Sequence, residues 1–133
     1  MSSIFSKIIA GEIPCYKVAE NDKFLAFLDV RPLVAGHTLV IPKSETDYLF
    51  DMDDASYSEL MLFAKYLALG LKKAVPCKKV GVSVIGLEVP HAHIHLVPLQ
   101  HLADINFEKQ RVQLSHDEYV AIAERISTAL HTV

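Results

Sequence analysis

The sequence predicts an α+β protein built around an antiparallel sheet. Three features carry this expectation. Short β-like runs follow one another closely enough to form hairpins, a long apolar stretch with helical spacing occupies the middle of the chain, and an amphipathic helix closes it.

Ile4, Phe5, Ile8 and Ile9 recur at helical spacing in "SIFSKIIAGEIP", with Gly11 near the end and Pro14 as a stop, which predicts a short helix. "CYKVAE" and "KFLAFLD" read as strands joined at Asn21-Asp22, a hairpin signal. "RPLVAG" is a turn region, and "HTLVIP" is a strand closed by Pro42. A long helix is expected from about Ala55 to Ala74, capped by Asp53 or Asp54, with Gly70 as a weak spot. Its Leu60, Leu62, Phe63, Leu67, Leu69 and Leu71 cannot all face one small sheet, so a second buried surface, a homodimer interface, is expected. "KKVGVSVIG" reads as a strand, and so does "HAHIHLV", bracketed by Pro90 and Pro98. The C-terminal helix, about residues 115–130, begins with a capping box of Ser115 and Glu118. No repeat or linker divides the chain, so residues 1–133 are taken as a single domain.

Composition narrows the function classes. With 51% hydrophobic and 22% charged residues the chain resembles an ordinary soluble domain. A formal net charge of −3 argues against a nucleic-acid polymer as partner. The one basic cluster, Lys72, Lys73, Lys78 and Lys79, brackets a helix end, where cations complement the dipole. Cys15 and Cys77 stand far apart without CxxC spacing and read as isolated thiols. The N-terminal stretch is broken by Lys7 and "LMLFAKYLALGL" by Lys65, so neither a signal peptide nor a membrane span is expected, and the expected location is cytoplasmic.

Three of the seven histidines, His91, His93 and His95, fall at alternate positions in "VPHAHIHLVPLQ". On a strand such residues share a face, about 7 Å apart, while Ala92, Ile94 and Leu96 point into the core. Such a row admits three uses. It is a solvated polar face, or a zinc site that recruits His37, Asp29 or Glu88, or a nucleophilic site. In the last, one neutral imidazole attacks phosphorus while its neighbours fix its tautomer and hydrogen-bond the phosphate oxygens.

"HAHIHLV" matches the histidine-triad (HIT) signature, in which histidines alternate with apolar residues. "FLAFLDVRPLVAGHTLVIPK" and "IFSKIIAGEIP" resemble two further conserved blocks of that family in the same order, so that the likeness runs over residues 3–99. The chain resembles the Hint-like branch of nucleotide hydrolases and transferases. The resemblance implies a HIT-like homodimer, each chain with a five-stranded antiparallel sheet, a long central helix and a C-terminal helix. It also implies cleavage of a nucleoside phosphoramidate or dinucleoside polyphosphate at the α-phosphate, through a nucleotidyl-histidine intermediate and without a cofactor or catalytic metal. By position His93 resembles the nucleophile and His95 the α-phosphate contact, with His91 and His37 in support. Asp29 resembles the ribose ligand; Ile4, Phe5, Ile8, Phe27 and Val30 resemble the apolar slot for the base. Read without the family, those five apolar residues are plain core.

The sequence departs from the family in two places. Some bacterial relatives carry a CxxC in the first block as half of a zinc site, where this chain has Ser3 and Ser6. The loop before the triad usually ends in Gly-Gln-Ser or Gly-Gln-Thr and follows an Asn. Here it reads "VIGLEVPH", keeping Gly86 but placing Leu87 and Glu88 where amide and hydroxyl contacts to phosphate would be. The altered loop motivates a rival reading, a nucleotide-binding sensor or interaction protein with little turnover.

Overall fold

A computed structural model describes residues 3–133. The elements run α1 (Ile4–Ile9), β1 (Lys17–Glu20), β2 (Phe24–Leu28), β3 (Thr38–Pro42), α2 (Asp54–Ala74), β4 (Lys79–Ser83), β5 (Ile94–Leu99) and α3 (His116–Leu130). Short 3-10 helices at Leu49–Asp51 and Leu102–Ile105 lie in stretches that gave no periodic signal. The five strands form one antiparallel sheet in the order β1-β2-β3-β5-β4. This is the α+β architecture expected.

Local chemistry sets the element ends. The Asn21 side chain accepts from the backbone N–H groups of Lys23 and Phe24, closing the β1–β2 hairpin. Asp53 accepts from Ser56 N–H at the start of α2, and the Ser115–Glu118 capping box starts α3. Ser3 caps α1 in the same way through Ser6 N–H.

The sheet is covered on both faces, so β2 and β3 are buried at every position. Phe24, Ala26, Leu28, Val40, Ile94 and Leu96 face the larger core under α2 and α3. Leu25, Phe27, Leu39 and Ile41 face the opposite way and form a smaller cluster with Phe5 of α1. In β5 the period of two hands His95 to this second face, because Ile94 and Leu96 belong to the first.

Two boundaries around the histidines differ from expectation. β5 begins at Ile94, so His91 and His93 precede the strand; Ala92 is nevertheless core, and the alternation holds. Pro98 does not end β5, which continues to Leu99. The Leu99 carbonyl accepts from Lys78 N–H on the β4 side, so Pro98 faces the β3 side. There the pairing stops at Thr38–Leu96, and the missing proline N–H breaks no ladder bond. β4 stops at Ser83, short of the Gly86 expected.

Cys15 and Cys77 are free thiols. Among the described residues no helix is long and apolar enough to cross a membrane. Leu62 and Leu69 of α2 are 66% and 46% exposed, the apolar remainder that the helix pattern foreshadowed.

Candidate active site

The histidines gather at one end of the second sheet face. His91, His93, His95 and His37 are all buried. The Phe5 ring stands edge-on to His91 and His93, with centroids 5.8 and 5.0 Å away. The rings of His93 and His95 lie 4.9 Å apart. The sequence-predicted triad and His37 therefore form one cluster.

Backbone groups of fixed polarity determine which nitrogen carries each proton. The His91 carbonyl, 2.8 Å from His93 Nδ1, can only accept. His93 therefore holds its proton on Nδ1, and its Nε2 keeps a lone pair. Leu33 N–H can only donate, and it meets His37 Nδ1 at 3.0 Å. His37 thus holds its proton on Nε2, which donates to His95 Nδ1 at 2.9 Å. His95 in turn carries its proton on Nε2. Adjacent rings end with opposite outward faces, one a bare acceptor and one a donor. His91 is locked separately: its Nε2 donates to Pro42 O at 2.7 Å, and its Nδ1 meets the Ser3 hydroxyl at 2.9 Å.

Burial pushes the pKa values of His37 and His95 down to about 3, helped by the charge that His93 and Arg111 would place beside them. These two rings are neutral near neutral pH. The mutual depression expected of clustered histidines is present there, but burial is the larger cause. Asp29 accepts from Arg31 N–H at 2.8 Å, and its Oδ2 lies 3.6 Å from His37 Nε2. Burial raises its carboxyl pKa.

The apolar slot divides. Phe5 and Phe27 belong to the second core cluster, with Ile8 packed against it, whereas Ile4 and Val30 are 50% and 67% exposed. Gly86 adopts φ +70, which explains glycine at that turn. Leu87, in the place of the family's amide, is 89% exposed. Glu88 lines a cleft of about 770 Å³ together with Val30, Arg31, Phe107, Lys109 and Arg111.

Among the described residues two donor sets invite a metal, and the hydrogen bonds of each bear against it. Asp29, His37 and His95 offer ligand atoms within 4.8 Å of one another. A metal on His37 Nε2 would move that proton to Nδ1, against the N–H of Leu33. At Ser3 and Ser6 the donors are hydroxyls rather than thiolates. The Ser3 hydroxyl already serves Ser6 N–H and His91, and Ser3 N–H donates to Glu45.

The sequence did not flag Leu33 N–H, the hydroxyl role of Ser3, or the segment with Phe107, Lys109 and Arg111. Phe107 stands edge-on to His95 at 4.8 Å. A lone aromatic four residues before an arginine, in the otherwise polar "FEKQR", is the faint signal that was available.

Comparison with known proteins identifies the family and the fold. The chain is 35% identical over 132 residues to a HIT-like protein of Borreliella burgdorferi, covering 93% of this chain and 95% of that one. It is 32% identical to an adenosine 5'-monophosphoramidase of Schizosaccharomyces pombe, covering 98% and 99%. Among solved structures, a hypothetical histidine triad nucleotide-binding protein of Sulfolobus tokodaii superposes with a TM-score of 0.82 at 29% identity, covering 97% and 92%. Residues 10–102 match the model of the HIT domain family, and with the histidine cluster and the sheet order this places the chain in the histidine triad family.

Proposed function

We propose that the chain is a nucleotide hydrolase or nucleotidyl transferase that cleaves a nucleoside phosphoramidate at the α-phosphorus. The observation that carries this reading is the pair of opposite tautomers side by side. His93 Nε2 presents a lone pair and His95 Nε2 a proton, 4.9 Å apart between ring centroids. In the first step the His93 Nε2 lone pair forms a bond to phosphorus, and the P–N bond to the leaving amine breaks. The amine takes a proton from solvent and leaves. His95 Nε2–H donates to a non-bridging oxygen, offsetting charge there. His91 O holds the Nδ1 proton and keeps the attacking ring oriented. Water then displaces His93 from phosphorus and releases a nucleoside monophosphate.

Asp29 is assigned to the ribose hydroxyls, with Ile4 and Val30 at the exposed edge where a base would stack. The chemistry needs no metal in this scheme, since charge stabilisation falls to His95 and to cations of the cleft. Glu88 in that cleft suits a leaving group that departs as an ammonium and repels one that departs as a polyphosphate. The relative named adenosine 5'-monophosphoramidase supports the same substrate class. A homodimer through α2 would cover Leu62 and Leu69. The rival, a nucleotide-binding module with little turnover, draws on one observation: Leu87 has turned to solvent where an amide would contact phosphate.

The test is intact-mass spectrometry of the protein after brief exposure to an adenosine phosphoramidate. A nucleotidyl adduct on wild-type protein, absent from His93→Ala with its circular dichroism unchanged, is expected. A His93→Ala variant that keeps more than about a tenth of wild-type turnover would overturn the assignment, since losing a covalent route should cost orders of magnitude. Nucleotide binding without adduct or turnover would favour the module.

A further inference from the structure

The segment at residues 106–113 lies outside the family-matched residues 10–102, and its Phe107 packs against His95 and His37. Its ties are specific. Val112 N–H donates to Pro32 O at 3.0 Å, and Arg111 Nη1 donates to Arg31 O at 2.7 Å. Arg111 Nη2 donates to Phe107 O at 3.3 Å. The guanidinium sits 5.7 Å from the Phe107 ring centroid, and the same ring packs edge-on against His95. One aromatic ring thus packs against both Arg111 and the group assigned to the phosphate oxygens.

Two carbonyls orient this guanidinium and leave its remaining donors free, since an arginine carries five. Neither Arg111, Lys109 nor Arg31 forms an ion pair with a carboxylate among the described residues. All three line the cleft that Glu88 also borders. Three cations against the carboxylates of Glu88 and Glu108 leave the cleft lining an excess of positive charge. With Arg111 half-buried and pre-oriented it forms a site for an anion, and the planar fork of arginine suits phosphate.

We propose that Arg111, with Lys109 and Arg31, binds the nucleotide's phosphate in this cleft and supplies the hydrogen bonds to phosphate that the side chains of Leu87 and Glu88 cannot donate. The inference rests on the reading of the cleft as a nucleotide site. It makes Arg111 a substrate-binding residue supplied from outside the family domain. It also makes binding depend on the phosphate charge as well as on the base.

Calorimetric titration of AMP and of adenosine into wild-type, Arg111→Met and Arg111→Lys protein tests this. Arg111→Met should weaken AMP binding at least tenfold and leave adenosine within about twofold, while Arg111→Lys restores part of the loss, as expected for a charged hydrogen-bond donor. In turnover the loss should fall mainly on KM. Should Arg111→Met fail to fold, Arg111→Gln keeps a donor for the two carbonyls and reads the same quantity. AMP affinity within twofold of wild type in a folded variant overturns the inference, even where the His93 adduct forms. Arg111-dependent AMP binding without any adduct upholds it while removing the hydrolase reading. Wild-type protein that binds neither ligand overturns both.

Discussion

Acid should destabilise this protein well above the pH at which its carboxylates titrate, because two buried histidines refuse protons in the folded state. His37 and His95 have pKa values near 3 when folded, against 6.5 for the free ring. Between those values the unfolded chain binds more protons. Their contribution to stability is therefore complete above about pH 6.5 and is lost as the pH falls toward 3. Moving from about pH 7.5 to about pH 5 removes roughly 2 kcal/mol per ring, or about 4 kcal/mol for both. That is a large share of the roughly 5–15 kcal/mol that holds a domain of this size. Asp29 works the other way, since its raised pKa lets the folded state take a proton and offsets part of the loss. Urea unfolding at the two pH values measures the difference, with the slope m checked for constancy. A double variant, His37→Gln with His95→Gln, should be less stable at neutral pH but flatter in its pH response. A wild-type loss below about 1 kcal/mol, or a double variant with an undiminished slope, would refute the claim that these rings are neutral by burial.

Exhaustive chelation should leave turnover unchanged and elemental analysis should find no stoichiometric zinc; about one zinc per chain, with activity lost on its removal, would move the reading to metal chemistry. A charge at the exposed apolar position, Leu69→Glu, should dissociate the proposed dimer, seen by light scattering as a shift to the 14.8 kDa monomer; a wild-type protein already monomeric at micromolar concentration would sink the interface. Glu88→Gln should narrow the preference for an adenosine phosphoramidate over diadenosine tetraphosphate. A carboxylate about 5 Å from phosphate repels it by roughly 3 kcal/mol at an effective dielectric of 20, about a hundredfold. An unmoved ratio of kcat/KM values would make Glu88 a bystander.

Much of the framework was legible because it rests on local rules. Asp53 and Ser115 announce their helices by chemistry that needs no partner elsewhere. The alternation from His91 to Leu96 survives even though only its second half is strand, since Ala92 still packs into the core. What stayed hidden depends on tertiary meeting points. Pro98 read as a stop because a sequence cannot say that β3 ends its pairing two residues earlier. Phe5 and Phe27 could be slot or core on sequence grounds, and only the fold shows that they pack together on the second sheet face, with Phe5 against His93. Leu33 contributes through its backbone N–H, to which residue type is blind. Arg111 gave only a faint signal because neither helix nor strand periodicity organises its segment, whose place is set by two bonds to the turn at Arg31 and Pro32.

The tautomers of His93 and His95 are written by a carbonyl and an amide of the main chain, at His91 and Leu33. No side-chain mutation deletes the His91 carbonyl, so the polarity of His93 is insulated from sequence drift as long as its turn holds, whereas that of His95 is relayed from Leu33 through the His37 ring and is lost with it. The neighbouring loop at residues 86–88 has no such protection, because its contributions come from side chains. Evolution of this scaffold is then free to exchange leaving-group preferences one residue at a time while the attacking and donating nitrogens stay where they are. A library randomised at Leu87 and Glu88 should accordingly yield altered selectivity far more often than it yields loss of the nucleophile.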